Sequence, residues 1–252
     1  MVPELANTLE DDDPTLTPDQ LEIYFETTRL GGFKVAVATR AAIDEPWSVP
    51  VATPEFASAG TEACPELSAD GLTMLFSSDR PGGIGGYDLY IATRSDRASA
   101  WSVPALVPEL NSTANEYCAV ISPSGLELLY HSERAGGPGA RDLYRTTRAS
   151  PADPWQPPQL IAELSTPGND ESPFYVPGSD DLVIAFGSER DGVRDIYTAR
   201  RSAIGAPFDP PVRVAIDTPE FEESDPWMSP DGRTLYFATN RTGNGEIAVT
   251  TR

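Results

Sequence analysis

"TEACPELSADGLTMLFSSDRPGGIGGYDLYIATR", which runs from Thr61 to Arg94, is one of five related stretches in this chain of 252 residues. Each copy has an acidic residue, a tight turn, an apolar run, an arginine before a loop, and a short segment that ends in arginine. The final arginines fall 54, 54, 52 and 52 residues apart, a period typical of propeller blades or solenoid units. The copies are Asp11 to Arg40, Glu62 to Arg94, Glu116 to Arg148, Asp170 to Arg200 and Glu223 to Arg252.

Each copy predicts several short strands joined by turns. Leu72 to Ser77 is apolar on both alternating faces, as expected for a strand in a sheet packed between two others. The glycine at position 71 closes a tight turn before this strand, and the glycines from 82 to 86 predict a hairpin into Tyr87 to Thr93. With an inner strand before the turn and an outer one after the hairpin, each repeat holds four strands. The sequence therefore predicts an all-β fold, a five-bladed β-propeller.

The outer strands predict how the ring closes. They are rich in proline, which suits an edge because the missing N–H costs no ladder hydrogen bond there. The fifth copy has no such segment, but "MVPEL" at residues 1 to 5 matches Val107 to Leu110 almost letter for letter. We therefore expect a single domain over residues 1–252, in which the N-terminus supplies the outer strand of the last blade. The blades are expected at about residues 11–60, 61–114, 115–168, 169–220, and 221–252 plus 1–5.

The charge restricts the partners. The chain has 39 acidic and 18 basic side chains, and its net charge of −21 would repel nucleic acid and anionic membranes. Cations and basic partners are favoured. No stretch approaches the roughly 18 apolar residues of a membrane span, so no membrane insertion is expected. Residues 1 to 13 lack the features of a signal peptide, which leaves open a cytoplasmic protein or a removed leader.

Two stretches resemble a known repeat. "MSPDGRTLYFATNR" from Met228 to Arg241 and "SSDRPGGIGGYDLY" from Ser77 to Tyr90 closely resemble the Pro-Asp variant of the WD-like β-propeller repeat, found in TolB and many bacterial envelope proteins. The resemblance implies a monomeric binding platform in the periplasm or envelope. Ser124 departs from the pattern at the turn aspartate, and the TolB propeller has six blades, so TolB's own partner is not carried over.

One acidic position recurs in every copy. Because innermost strands surround the central channel, these residues predict a ring of carboxylates near one mouth. Five such charges need a cation, a shared proton or hydrogen-bond donors, since they repel one another. One interpretation is a Ca²⁺ or Mg²⁺ site, or a pocket for a basic side chain, on the axis. The other is that each carboxylate simply locks neighbouring blades together. The residues are Asp11, Glu62, Glu116, Asp170 and Glu223.

A second recurring pattern predicts an ion pair across each hairpin, absent from the first copy. We expect these pairs to be architectural, because they repeat and a charge-assisted contact would hold the two strands together. The predicted pairs are Arg80 with Asp88, Arg134 with Asp142, Arg190 with Asp195, and Arg241 with Glu246.

Other candidates lie close to the acidic position. Cys64 and Cys118 occupy equivalent positions in adjacent copies; two buried free thiols are expected, with a disulfide or metal binding as alternatives. Tyr117, Phe174 and Trp227 do not recur as a set and are candidate ligand contacts at the channel, with core packing as the alternative.

The sequence favours a non-catalytic module that binds a protein, a small ligand or a cation at the channel mouth. His131 is the only histidine, and no phosphate loop, dinucleotide fingerprint or zinc motif is present. The alternative is a five-bladed glycoside hydrolase that uses channel carboxylates. That chemistry requires carboxyl groups with separated pKa values, whereas the recurring acids look equivalent. Whether the protein is an enzyme stays open at this point.

Overall fold

The computed structural model describes residue 2, residue 5 and residues 9–216, 221–241 and 243–251. This part of the chain contains nineteen strands, β1 to β19, and no helix. None of the described residues forms a helix long and apolar enough to span a membrane. The strands form five antiparallel sheets, each a meander that follows the order of the sequence. The predicted five-bladed β-propeller is confirmed.

Each blade begins at the channel and runs outward. The first strand of every blade contacts the first strands of both neighbouring blades, and β1 contacts β17, so the five inner strands form a closed ring. The strands of the successive blades are β1 (Asp11–Leu16), β2 (Glu22–Thr27), β3 (Lys34–Thr39) and β4 (Val51–Ala52); β5 (Glu62–Leu67), β6 (Thr73–Ser78), β7 (Asp88–Thr93) and β8 (Ala105–Leu106); β9 (Glu116–Ile121), β10 (Glu127–Ser132), β11 (Asp142–Thr147) and β12 (Gln159–Leu160); β13 (Asp170–Tyr175), β14 (Val183–Ser188), β15 (Asp195–Arg200) and β16 (Val212–Arg213); and β17 (Glu223–Met228), β18 (Thr234–Thr239) and β19 (Glu246–Thr251).

The N-terminal segment completes the fifth blade, as the sequence predicts. The Val2 amide donates to the Ile247 carbonyl of β19 at 3.0 Å, and the Leu5 amide donates back to Val2 at 3.0 Å. The second blade has the same pair of bonds, from Val107 to Leu89 and from Leu110 to Val107. Residues 1, 3 and 4 of the predicted closing segment lie outside the described residues. Val2 and Leu5 are both buried in the core of the first and last blades.

In the first four blades, the arginine that follows the third strand packs on the aromatic residue that opens the outer segment. Arg94 lies 4.4 Å from the Trp101 ring, which in turn meets Tyr24 of the preceding blade at 6.1 Å. Trp47 and Trp155 hold the same place in their blades, so the three tryptophans are packing residues. The fourth copy requires a correction: Arg201, not Arg200, occupies this place, over Phe208. The residue added in its turn shifts the repeat by one, and Arg200 is exposed.

Candidate functional site

The five predicted metal-binding carboxylates each lie against an arginine of their own blade. The arginine follows the second strand, and every carboxylate is at most 3% exposed. Four nitrogen–oxygen distances range from 2.6 to 3.6 Å. Among the described residues, no three of these five acids bring ligand atoms within reach of one ion. The pairs are Arg29–Asp11, Arg80–Glu62, Arg134–Glu116, Arg190–Asp170 and Arg241–Glu223.

These arginines also connect neighbouring blades. Arg80 donates to the Phe56 carbonyl at 2.7 Å, and Arg134 donates to the Leu110 carbonyl at 2.6 Å, in each case in the outer segment of the preceding blade. The carboxylate thus orients a guanidinium that spans the blade interface. This geometry supports the interpretation in which the recurring acid locks blade to blade.

The predicted pairing across the hairpins is wrong. Arg80 pairs with Glu62 instead, and the Asp88 carboxylate accepts the Ile84 and Gly85 amides at 2.7 and 3.1 Å, which shapes the hairpin loop. The other three arginines likewise bind the inner acid, so Asp142, Asp195 and Glu246 are not their partners. In the first blade, Arg29 pairs with the inner acid Asp11 in the same way.

A different set of five equivalent residues lines the channel. Each inner strand carries a β-bulge, and the residue in the bulge has a φ of 48° to 52°, in the left-handed region that side chains other than Gly, Asn and Asp rarely adopt. The bulge points these side chains into the central cavity, two positions beyond the recurring acid. They are Asp13, Cys64, Cys118, Ser172 and Asp225.

A signal for this ring is present in the sequence. Proline follows the bulged residue in four of the five copies, at positions 14, 65, 173 and 226. Because proline inside a sheet is confined to edges and bulges, its presence in an innermost strand indicates an irregular register there.

Cys64 and Cys118 form a disulfide across two adjacent blades, with their Cα atoms 4.8 Å apart. The expectation of two free thiols is therefore wrong. The two bulges turn equivalent side chains toward each other at a separation typical of disulfides. Asp13, Cys64 and Cys118 are the one trio of metal-ligand types within 4.8 Å among the described residues. Since the two sulfurs are bonded to each other, this trio offers no thiolate ligands.

One mouth of the channel holds a cluster of carboxyl groups, Asp12, Asp13, Glu26 and Asp225, which we call the acidic cluster. It lines a cavity of about 190 Å³ where the inner strands begin. In the part of the chain that the structure describes, no lysine or arginine nitrogen lies within 4.0 Å of these four carboxylates. The acidic cluster is therefore held together by shared protons and hydrogen bonds rather than by ion pairs.

The pKa values of the acidic cluster are pushed apart. Burial, together with the charges of Asp225 and Glu26, raises the pKa of both Asp12 and Asp13 well above the ordinary value. Burial also raises the pKa of Glu26 to about 7, although hydrogen bonds from Asp13 and the Cys64 amide oppose this. Burial acts in the same direction on Asp225, but hydrogen bonds from Asp13, Ser172 and Ser224 outweigh it and lower the pKa. The raised pKa values favour protons on Asp12 and Asp13, and the lowered pKa favours an ionised Asp225.

The opposite wall of the same cavity is basic and aromatic. Glu171 lies between two guanidinium groups, 2.9 Å from Arg141 and 2.6 Å from Arg194. His131 accepts the Ser172 amide at 3.2 Å, and burial lowers the pKa of the imidazole to about 3, so it stays neutral. Tyr117 stacks on His131, with ring centroids 5.3 Å apart. His131 is thus a packed wall residue.

The structure separates the three predicted ligand-contact residues. Tyr117 lies at the acidic mouth, where its ring also faces Tyr87 at 4.9 Å. Phe174 and Trp227 lie beside each other at the opposite end of the channel, 8% and 5% exposed. Tyr117 is the second residue of its inner strand and Phe174 the fifth of its own, so the two lie at different heights along the axis.

No family model matches this chain, and no curated protein matches it. Among solved structures it is similar to an endo-arabinase from Bacteroides thetaiotaomicron, at 14% identity and a TM-score of 0.70, covering 97% of this chain and 95% of that one. It is similar to a thermostable family-43 glycoside hydrolase at 13% identity and a TM-score of 0.68, covering 98% and 91%. A protein assigned as TolB from Agrobacterium tumefaciens matches at 16% identity and a TM-score of 0.60, covering 97% and 78%. At these identities the likeness shows the propeller fold alone, which binding proteins and glycoside hydrolases share.

Proposed function

We propose that this propeller is a non-catalytic binding module whose acidic mouth takes a basic group, an ammonium or a guanidinium, from a partner protein or a small ligand. The observation that carries the proposal is the acidic cluster, four carboxyl groups around one cavity with no lysine or arginine nitrogen of the described residues within 4.0 Å of them. At 4 Å and an effective dielectric near 20, a unit charge gains about 4 kcal/mol from one carboxylate before desolvation is subtracted. A cation entering the cavity replaces the shared protons and satisfies several carboxylates at once.

The shape of the cavity supports an organic cation over a metal ion. Among the described residues, no three carboxyl groups bring oxygens within 4.8 Å of one another, so the ligand set of a Ca²⁺ or Mg²⁺ site is not assembled. The aromatic wall of the cavity already packs against one guanidinium, because Arg141 lies 5.6 Å from the ring centroid of Tyr117. A second guanidinium or ammonium can lie against the aromatic wall while it faces the acidic cluster.

The disulfide supports an envelope location. Cys64 and Cys118 are bonded across two blades, and disulfides persist in oxidising compartments such as the bacterial periplasm. This agrees with the location that the repeat resemblance implies.

Glycoside hydrolysis is the second candidate, favoured by the separated pKa values of Asp225 and Glu26 and by the similar arabinase fold. The spacing of Asp13 and Asp225 argues against these two as the catalytic pair. Asp13 and Asp225 hydrogen-bond to each other directly, whereas a glycosidase pair stands about 5 to 9.5 Å apart to leave room for the sugar and water.

The test compares two ligands that differ in one group. N-acetylargininamide carries a guanidinium, and N-acetylcitrullinamide carries a neutral urea of the same shape. Specific binding to the folded state raises the melting temperature, so we expect the arginine derivative alone to do so. This rise in melting temperature should be strongly reduced in Asp225→Asn. It should be unchanged in Glu109→Gln, which alters an exposed carboxylate far from the channel.

Equal responses to the two derivatives, or an undiminished response in Asp225→Asn, would contradict the proposal. A rise in melting temperature with Ca²⁺ that disappears on addition of EDTA and in Asp225→Asn would show that the acidic cluster binds a metal ion rather than a basic group. Hydrolysis of aryl arabinofuranosides that is lost in both Asp225→Asn and Glu26→Gln would show that the protein is a glycoside hydrolase instead.

A further inference from the structure

A second cavity lies at the other mouth of the channel, where the inner strands end. Its volume is about 330 Å³, larger than the cavity at the acidic mouth and within the range of small-molecule sites. Its rim is formed by the tight turns between the first and second strands, whose prolines present apolar rings to the opening. These are Pro18, Pro123, Pro177 and Pro230.

Aromatic side chains form one wall of this apolar cavity. Phe174 and Trp227 lie with their ring centroids 6.5 Å apart, and Trp227 meets Tyr236 edge to face at 5.9 Å. Both cavity-lining rings are nearly buried, so the surface that they expose faces the cavity. Rings fixed by such contacts offer a preformed surface for an apolar or cationic ligand.

Glu66 is the one carboxylate among the residues that line the apolar cavity. Its Oε1 is buried and has no hydrogen-bond partner among the described residues. Thr15, which accepts the Leu67 amide at 3.1 Å, hydrogen-bonds to the same carboxyl group. Burial, with a smaller contribution from the charge of Asp225, raises the pKa of this carboxyl well above its ordinary value. A buried acceptor without a partner is costly, and a donor supplied by a ligand would remove that cost.

We propose that the apolar mouth is a second binding site, for a small organic amine whose apolar body lies against Phe174 and Trp227 and whose ammonium group reaches Glu66 Oε1. A protonated Glu66 releases its proton to solvent as the ammonium arrives, so the ion pair then forms without a change in net charge at the site. The net charge of −21 on the chain favours a cationic ligand over an anionic one. This site lies at the other end of the channel and does not depend on the function proposed for the acidic mouth.

Three matched compounds test this site: 2-phenylethylamine, the neutral 2-phenylethanol and the anionic 3-phenylpropionate. Calorimetric titration should show the amine binding at least tenfold more tightly than the alcohol, because a hydrogen bond to a charged group is worth that factor or more. The anion should bind most weakly. Glu66→Gln should weaken the amine about tenfold or more and leave the alcohol nearly unchanged. Quenching of tryptophan fluorescence by the bound amine should disappear in Trp227→Phe.

Two controls separate this site from the acidic mouth. Glu26→Gln, at the other end of the channel, should leave the Trp227-dependent fluorescence quenching by the amine unchanged, as should the exposed Glu109→Gln. The proposal is overturned if no compound binds, if amine and alcohol bind equally, if Glu66→Gln binds the amine like the wild type, or if Glu26→Gln abolishes binding. The last result would assign the amine to the acidic cluster.

Discussion

Glu26→Gln provides the sharpest test of the electrostatics at the acidic mouth. Burial raises the pKa of Glu26 from 4.5 to about 7, against hydrogen bonds from Asp13 and the Cys64 amide. Since the pKa is higher in the folded state, the protonated side chain favours folding. This stability is fully present below pH 4.5 and is lost as the pH rises through about 7. At 1.36 kcal/mol for each pKa unit, ionised Glu26 costs the folded protein about 3 kcal/mol at pH 8.

Glutamine is neutral at every pH and can still accept the Cys64 amide, which lies 3.2 Å from Glu26 Oε2. We therefore expect Glu26→Gln to be more stable than the wild type by up to about 3 kcal/mol at pH 8 and about equally stable at pH 4. Urea unfolding between pH 4 and pH 8 measures this as a shift in midpoint at constant slope. Glu109→Gln, an exposed carboxylate, controls for the loss of one negative charge. A variant that is no more stable at pH 8, or a difference that does not change with pH, would refute the reasoning.

Three further predictions concern the scaffold. Reduction of the disulfide, or Cys64→Ser with Cys118→Ser, should lower the free energy of unfolding by about 4 kcal/mol, the loop-closure value for its separation of 54 residues; an unchanged denaturation midpoint would contradict this. Arg201→Met should cost about 3 to 5 kcal/mol because it leaves Glu127 buried and uncompensated, and Arg201→Met/Glu127→Met should recover most of that loss; a double variant as unstable as the single one would be inconsistent with a paired charge. Glu116→Gln should lower stability by about 1 to 3 kcal/mol without changing the response to N-acetylargininamide, and a lost response would move the binding site to the recurring acids.

The fold can be predicted from the repeat because the separate signals within each copy indicate the same structure. The apolar run, the glycine turns and the proline-rich edge all specify the same four-stranded unit, and "MVPEL" identifies the segment that completes the fifth blade. Blade architecture repeats, so every copy contributes to the prediction. The recurring arginine was also recognised as architectural, although its partner is the inner acid and not the residue across the hairpin.

The candidate site is harder to predict from the sequence than the fold, because it depends on a backbone irregularity. Asp13 and Asp225 reach the channel through a bulge with positive φ, which a count of alternating faces does not reveal. Glu26 comes from a second strand and joins the acidic cluster only through tertiary packing. The same bulge brings Cys64 and Cys118 together, and Phe174, beyond the bulge in its own strand, lies at the mouth opposite Tyr117. Positions where the copies differ thus carry the candidate function, whereas the position that they share builds the ring.

Proton release on binding tests the central claim most directly. If a basic group replaces the protons of the acidic cluster, N-acetylargininamide must displace protons at pH 6.5, where the pKa of about 7 leaves Glu26 largely protonated. Calorimetric titrations in two buffers of different ionisation enthalpy give the number of protons released for each ligand bound. We predict a net release for the wild type and a smaller release for Glu26→Gln. Binding without proton release, or the same release in both proteins, would contradict the account.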